Sequence, residues 1–209
     1  MTTANKITIT RILMIPMFVM MAIYYGRGVS KGHPHQWQHI ATVLLFIVAA
    51  ASDGIDGYIA RRYNQKSPLG VILDPIADKG LLLAAIITLS FSNWTYEFPL
   101  WFPVLVITRD VVIVTGTIVL HFLVGKVQVK PSWLGKTATA FQMIAISCVL
   151  LQFNKFVHFP LSLFGQQTEI DFLEIPIALA GFFTLISGIG YVMSGIQQLQ
   201  RSDHGNKLH

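Results

Sequence analysis

The sequence has little charge and almost no cysteine. Of its 209 residues, 12% are charged and 53% are hydrophobic, which leaves too few polar side chains to cover the surface of an ordinary soluble domain. Cys148 is the only cysteine, so the chain can form neither an intrachain disulfide nor a metal site built from several cysteines. The composition therefore predicts a membrane protein and excludes a disulfide-stabilised secreted domain.

Long apolar runs occupy most of the chain. A membrane-crossing helix needs about 20 mostly apolar residues, and six stretches of suitable length are found near 12–26, 38–60, 73–92, 99–123, 135–153 and 173–198. The runs are continuous and do not alternate with polar residues, which excludes a transmembrane β-barrel. We predict an all-α, polytopic membrane protein with six transmembrane helices. Residues 1–209 form a single domain with a short polar C-terminal tail at about 200–209.

Lysine and arginine residues are distributed unevenly between the predicted loops. With a cytoplasmic N-terminus, the cytoplasmic side has Lys6, Arg11, Arg61, Arg62, Lys66, Lys79, Lys126, Lys130, Lys136, Arg201 and Lys207, and the other side has only Arg27, Lys31 and Lys155. Cytoplasmic loops of membrane proteins have such an excess, so both termini are predicted to be cytoplasmic. The net charge of +5 favours contact with anionic lipid headgroups, and no basic stripe indicates a nucleic-acid partner.

Four of the ten acidic residues lie in one short segment: Asp53, Asp56, Asp74 and Asp78. The first two are three residues apart at the end of the second predicted helix. The other two are four apart at the start of the third, and both spacings place a pair on one helical face. The connection "RRYNQKSPLG" is short and polar, so the two helices are expected to be antiparallel neighbours. Four carboxylates would then converge at the cytoplasmic edge of the membrane.

Clustered carboxylates at a membrane edge need a compensating cation. They repel one another, and a low-dielectric surrounding raises the cost of that repulsion. Since no histidine or cysteine is nearby, the oxygen donors suit hard divalent ions, Mg²⁺ or Mn²⁺, and four carboxylates can hold two. Asp53 and Asp56 taken alone would be a solvated helix end, but four acids on neighbouring helices favour a metal site.

The same segment resembles the signature of the CDP-alcohol phosphatidyltransferases. From Asp53 to Asp78 the chain contains D-x2-D-G-x2-A-R-x8-G-x3-D-x3-D, and every fixed position matches. The resemblance implies a six-helix membrane enzyme that transfers a phosphatidyl group from CDP-diacylglycerol to an alcohol and releases CMP. It implies that Asp53, Asp56 and Asp74 are metal ligands, and that Asp78 shares the metal site and accepts the proton of the attacking hydroxyl. The CDP pocket would be lined by Gly57, Ala60, Arg61 and Gly70.

The N-terminal stretch bears on the second substrate. Asn5, Thr8, Arg11 and Pro16 form N-x2-T-x2-R-x4-P, which resembles the opening of bacterial family members that make phosphatidylglycerophosphate or cardiolipin. The acceptor is therefore predicted to be glycerol 3-phosphate, with a cardiolipin-forming enzyme that uses phosphatidylglycerol as the alternative. Glycerol 3-phosphate is a small dianion that needs cations nearby. The candidates are Arg109, Lys130 and Lys136.

Arg109 lies within an apolar run, where a charge indicates function by default. The alternative is a buried pair with its neighbour Asp110, although adjacent residues on a helix point in different directions. Members that make phosphatidylglycerophosphate often show Arg-Glu at this place. The Arg-Asp sequence here keeps the cardiolipin alternative open.

Two further expectations concern class and assembly. An ion-coupled transporter would place acids near the membrane midplane and often shows internal repeats, whereas these acids lie at one edge and no repeat is found. The small-residue string in the last helix, with Gly181, Gly188, Gly190 and Gly195, predicts close helix packing, including a homodimer contact. The resemblance places the protein in the bacterial inner (cytoplasmic) membrane, with its active site on the cytoplasmic side.

Overall fold

The computed structural model describes the backbone of residues 3–62, 68–124, 133–153, 158–163 and 166–206, and the side chains of 7–52, 77–120, 122, 133–153, 172–197 and 200. The described residues form six helices: α1 (Thr3–Ser30), α2 (Gln36–Arg62), α3 (Pro68–Phe91), α4 (Trp101–Val124), α5 (Trp133–Leu150) and α6 (Glu174–Asn206). The predicted six-helix, all-α architecture is thus confirmed. A short antiparallel hairpin, β1 (His158–Leu163) and β2 (Gln166–Asp171), was not predicted. Its register pairs His158 with Asp171 and Leu163 with Gln166.

Several helices extend beyond their apolar runs. Helix α1 begins at Thr3, and α6 continues to Asn206, so part of the predicted polar tail is helical. Helix α3 begins at Pro68, a residue whose fixed φ suits the first helical position. Gly70 therefore lies inside α3 and not in the connection. Helical hydrogen bonding continues at these ends because polar residues are tolerated where a helix leaves the membrane.

Four helices are long and apolar enough to cross a membrane, judged on the residues whose side chains are described: Ile7–Ser30, Trp101–Leu120, Trp133–Leu150 and Glu174–Gln197. Their outer faces present large apolar side chains. Leu13 is 63% exposed and Phe122, at the end of α4, is 83% exposed. Such a surface is unfavourable in water and suited to lipid. The protein is a multi-pass membrane protein.

The chain forms two compact units, the first from Met1–Pro99 and Ile146–Phe153 and the second from Leu100–Ala145 and Asn154–His209. In the first unit α1 contacts α2 and α3, and in the second α4 contacts α6. Helix α5 contributes its beginning to the second unit and its end to the first. The single domain predicted from the sequence is not tested by this division and stays a prediction.

Helices α1 and α2 of the first unit are antiparallel. Phe18 faces Phe46 with 5.8 Å between ring centroids, and Tyr25 faces His39 with 5.1 Å. From the first pair to the second, the α1 residue advances by seven positions while the α2 residue goes back by seven. A step of seven is about two helical turns, so both contacts lie on one straight seam.

Helices α1 and α3 of the same unit run parallel. A Cβ placed on Gly80 would lie 3.4 Å from Cδ1 of Ile15, and Gly26 packs directly on the backbone carbonyl of Ser92, just after α3. Gly80 follows Ile15 by 65 residues and Ser92 follows Gly26 by 66. A nearly constant difference in residue number is expected when two helices run parallel. No side chain larger than hydrogen fits at Gly26, so glycine is required there.

Helices α4 and α6 of the second unit pack closely through glycine. A Cβ on Gly181 would lie 2.6 Å from the ring of Trp101, while Gly188 lies against Cγ of Arg109 and Gly195 against Leu120. Three of the four glycines thus serve packing within the chain. A Cβ on Gly190 would meet no described atom within 4 Å. The predicted homodimer is not tested by these contacts.

Candidate functional site

A buried stripe on α2 leads to the first pair of predicted metal ligands. Thr42, Phe46 and Ala49 are buried and alternate at spacings of four and three. The same alternation continues along the helix to Asp53 and Asp56, and α2 is helical through both positions. Positions 53 and 56 therefore share a face of α2 with Phe46, which contacts Phe18 of α1.

A second stripe, on α3, leads to the other pair. Leu81, Ala85 and Thr88 are buried at alternating spacings of four and three. Continued toward the start of the helix, the alternation reaches Asp78 and then Asp74, and α3 is helical through both. Asp78 is partly exposed. The backbone is helical at all four positions, so each pair shares one helical face, as its spacing predicted.

The two pairs also lie at the same level along α1. The seam between α1 and α2, continued by two turns, brings position 53 level with Arg11. Contacting residues of α1 and α3 differ by about 66 in residue number, so position 74 lies level with Thr8. Thr8 is one helical turn from Arg11. The four aspartate positions therefore lie around the N-terminal part of α1. We call this region, with Thr8 and Arg11, the acidic end.

Thr8 and Arg11 occupy the interior of the acidic end. Their exposed fractions are 1% and 0%, so both side chains are enclosed by the first unit. Arginine is almost never fully buried in proteins. The sequence placed Arg11 in the N-terminal motif and on the cytoplasmic side, and it did not predict that the side chain is buried. Asn5, the other polar member of the N-terminal pattern, is in α1, but its side chain lies outside the described residues.

Several predicted site residues have side chains that the structure does not describe. They are Asp53, Asp56, Gly57, Ala60, Arg61, Gly70 and Asp74, all on helical backbone, whereas Lys130 lies outside the described residues altogether. Among the described side chains, no three His, Cys, Asp or Glu residues form a metal-binding group, but only Asp78 of the four predicted ligands belongs to that set. Four carboxylate positions at one level form a donor set of hard oxygens that fits Mg²⁺ or Mn²⁺.

Arg109 of α4, in the second unit, is held by two hydrogen bonds. Its Nη1 donates to Oδ1 of Asp110 at 2.7 Å, and its Nη2 donates to Oγ of Ser187 on α6 at 2.9 Å. The pair between Arg109 and Asp110, which the sequence left open as an alternative, is present because the long arginine side chain folds back over its neighbour. Ser187 was not predicted from the sequence, where a serine within an apolar helix gives no signal of its partner.

The Arg109 guanidinium is largely enclosed. Its side chain is 15% exposed and that of Asp110 is 18% exposed. The Nε atom is buried and has no hydrogen-bond partner among the described residues. Lys136 is exposed in the first turn of α5. The three predicted acceptor-binding cations are therefore not shown as a cluster.

The helical membrane fold and the four aspartate positions at one level describe the kind of protein, and comparison with known proteins identifies its family. The model of the CDP-alcohol phosphatidyltransferase family matches residues 1–186, which includes all four aspartates, Arg11 and Arg109. The chain belongs to this family.

Two relatives illustrate the similarity. The CDP-diacylglycerol–glycerol-3-phosphate 3-phosphatidyltransferase of Bacillus subtilis (strain 168) is 35% identical over 202 residues, covering 95% of this chain and 97% of the relative. The protein of the same name from Escherichia coli (strain K12) is 33% identical over 155 residues, covering 73% and 79%. The family predicted from the signature between positions 53 and 78 is confirmed.

Proposed function

We propose that the protein transfers a phosphatidyl group from CDP-diacylglycerol to glycerol 3-phosphate, giving phosphatidylglycerophosphate and CMP. The observation that supports this best is the acidic end, where four aspartate positions lie at one level on the inward faces of α2 and α3. The names of the two relatives specify the same donor and the same acceptor. The family membership and the matched signature support the reaction type.

The donor diphosphate is proposed to bind at the acidic end. Asp53, Asp56, Asp74 and Asp78 would hold two divalent ions, Mg²⁺ or Mn²⁺, which when bound neutralise the charge of the diphosphate and of the departing CMP. Around them, Gly57, Ala60 and Gly70 leave room for the nucleotide because their side chains are small or absent. Arg61 offers a planar, permanently charged donor for a phosphate oxygen.

Asp78 is proposed as the general base. It accepts the proton of the glycerol 3-phosphate hydroxyl as the oxygen attacks phosphorus and CMP departs. Its partial exposure on the inward stripe of α3 suits this role, since the group must meet a water-soluble acceptor. The other three aspartates lie on the same two stripes and need not accept a proton.

Arg109, Lys130 and Lys136 are proposed to bind the acceptor phosphate. The two hydrogen bonds of Arg109 fix its guanidinium, so little side-chain entropy is lost when a ligand binds. The side chain is 15% exposed, and the guanidinium has N–H donors beyond the two that these bonds use. Charge-assisted hydrogen bonds of this kind are about twice as strong as neutral ones.

The membrane orientation is also part of the proposal. We place the protein in the bacterial inner membrane with the acidic end and both termini on the cytoplasmic side. Arg27 and Lys31, two of the few cations assigned to the other side, are exposed at the opposite end of α1 from the acidic end. A site at the membrane edge suits a donor whose acyl chains stay in lipid while its nucleotide stays in water.

An acceptor assay tests the proposal. Purified protein is incubated with CDP-diacylglycerol and Mg²⁺, with glycerol 3-phosphate, phosphatidylglycerol or no acceptor in parallel, and both CMP release and the lipid product are measured. Turnover with glycerol 3-phosphate alone is expected. Turnover with phosphatidylglycerol alone would make the protein a cardiolipin-forming enzyme and refute the proposed acceptor, and CMP release without acceptor would indicate hydrolysis.

A further inference from the structure

Arg11 is a fully buried cation on the seam between α1 and α2. Along α1, Arg11, Phe18 and Tyr25 follow one another at intervals of seven residues, and all three are buried. Residues at this interval occupy the same face of a helix, with a drift of about 20° per step. Because Phe18 and Tyr25 both face α2, Arg11 lies on the face of α1 that is turned toward α2.

The partner position on α2 follows from the same seam. Tyr25 meets His39 and Phe18 meets Phe46, so each step of seven on α1 toward its N-terminus is a step of seven on α2 toward its C-terminus. One further step leads from Phe18 to Arg11 and from Phe46 to Asp53. Helix α2 is continuous to Arg62, so the step is made along regular backbone.

We propose that Arg11 is a positioning residue that forms a buried ion pair with Asp53. The inference rests on the proposed function in one respect, that Asp53 is a ligand of the metal site. A buried guanidinium is tolerated only when an opposite charge compensates it, and its planar fork matches a carboxylate with two parallel hydrogen bonds. The pair would hold the Asp53 side chain in one orientation within a group of mutually repelling carboxylates.

Burial separates this role from substrate binding. Arg11 has no exposed surface, so a phosphate in solution cannot reach it. It acts on the site only through the protein group that it contacts. A residue of this kind is needed most before the divalent ions bind, because the clustered carboxylates then repel one another without metal.

A double-mutant cycle tests the pair. Arg11→Met, Asp53→Asn and the double variant are purified in detergent, and their thermal unfolding is measured with EDTA and without substrate. Arg11→Met is expected to lower Tm by on the order of 10 °C, since it removes the charge that is proposed to compensate Asp53. The Tm of the double variant should be well above the value expected from adding the two single losses, because neither charge is then left without its partner. Additive losses would overturn the pair.

Two controls show that the coupling is specific. Arg11→Met combined with Asp56→Asn should give additive losses, because position 56 is one turn beyond the partner position. Arg27→Gln removes an exposed arginine of the same helix and should leave Tm unchanged within about 2 °C. Rescue by Asp56→Asn as strong as rescue by Asp53→Asn would refute the assignment to Asp53.

A conservative variant distinguishes the ion pair from simple packing. Arg11→Lys keeps the charge and should recover most of the Tm and of the turnover that Arg11→Met loses. Methionine fills a similar space without charge, so a Tm for Arg11→Met equal to that of the wild type would indicate packing only and overturn the proposal. If Arg11→Met does not accumulate as folded protein, recovery of monodisperse protein in the double variant supports the pair, and no recovery contradicts it.

The cycle also separates this inference from the proposed function. Coupling between Arg11 and Asp53 in a protein that shows no transfer to glycerol 3-phosphate would refute the function and leave the pair. Transfer to glycerol 3-phosphate together with additive Tm losses would support the function and refute the pair.

Discussion

The two ends of the first unit lie along the same helical stripes but differ in the polar groups that they contain. The end opposite the acidic end, which we call the aromatic end, consists of Tyr25, His39, Trp94 and Gln152. Nε2 of Gln152 donates to the Tyr25 hydroxyl at 2.8 Å, and Nε1 of Trp94 donates to a backbone carbonyl of α1 at 3.1 Å. Nε2 of His39 lies 2.7 Å from the carbonyl oxygen of Leu150. Polar side chains and backbone carbonyls satisfy one another there.

The acidic end has a different composition. Four aspartate positions on α2 and α3 lie at the level of Arg11, whose side chain is fully buried. Neutral polar groups can complete their hydrogen bonds within the protein, whereas an excess of like charge requires ions or ligands from outside. We therefore expect the aromatic end to hold the helices together and the acidic end to bind the ions and substrates. Substitutions at the two ends should therefore affect different quantities.

The largest effect is expected from removing divalent ions. Excess EDTA should reduce phosphatidyl transfer to background, and added Mg²⁺ or Mn²⁺ should restore it, because the clustered carboxylates would hold the ions that neutralise the diphosphate. CMP release measures the effect, and dialysis against metal-free buffer is the control for direct inhibition by EDTA. Full activity in excess EDTA would remove the metal from the mechanism.

The next largest effect is expected from Asp78→Asn. Loss of the general base should lower kcat by about 10²- to 10⁴-fold while CDP-diacylglycerol binding is largely retained. Turnover and binding of the donor are measured on the same preparation, with Gln152→Ala at the aromatic end as a matched control. Turnover near that of the wild type would show that another group accepts the proton.

Arg109→Ala extends the comparison to the second unit. Removing a charged donor to the acceptor phosphate should raise KM for glycerol 3-phosphate by about 10- to 100-fold and leave KM for CDP-diacylglycerol unchanged. Ser187→Ala, which removes one of the two hydrogen bonds that hold Arg109, should give a smaller change in the same direction. An unchanged KM for glycerol 3-phosphate in Arg109→Ala would leave Arg109 with a structural role only.

Gly26→Ala tests the packing of α1 on the carbonyl of Ser92. No Cβ fits there, so the variant should lose about 1–3 kcal/mol of unfolding free energy. Gly80→Ala, where the added Cβ would make an ordinary contact with Ile15, is the matched control in the same pair of helices. Equal Tm values for the two variants would contradict the described approach of α1 to Ser92.

The smallest effect is expected from Gln152→Ala. Loss of its hydrogen bond to Tyr25 should cost about 1–2 kcal/mol of stability without changing kcat or either KM. Tyr25→Phe removes the same bond from the other side, and the double variant should lose little more than either single one. A lower kcat in folded Gln152→Ala would show that the aromatic end takes part in catalysis.

The sequence was sufficient for the features that depend on local pattern. Six apolar runs predicted the six helices, and the spacing of Asp53, Asp56, Asp74 and Asp78 predicted that each pair shares a face. Both follow from the helical period, which acts within one segment. The metal, the roles of the individual site residues and the homodimer stay predictions.

Features that depend on contacts between segments were missed. The burial of Arg11 and its seam with α2 require the register between two helices, which a single sequence does not contain. Pairing of Arg109 with Asp110 was judged from helix directions and not from the reach of the arginine side chain. The hairpin was hidden because Pro160 in β1 argues against a strand.

The most direct test of the account is a count of divalent ions bound to the purified protein. Mn²⁺ binding in the presence of CDP-diacylglycerol is measured by electron paramagnetic resonance for the wild type, Asp56→Asn and Gln152→Ala. The account predicts about two Mn²⁺ ions per chain in the wild type and in Gln152→Ala, and a loss of at least one in Asp56→Asn. A wild-type protein that transfers phosphatidyl groups without binding Mn²⁺ or Mg²⁺, or an Asp56→Asn variant that binds both ions normally, would contradict it.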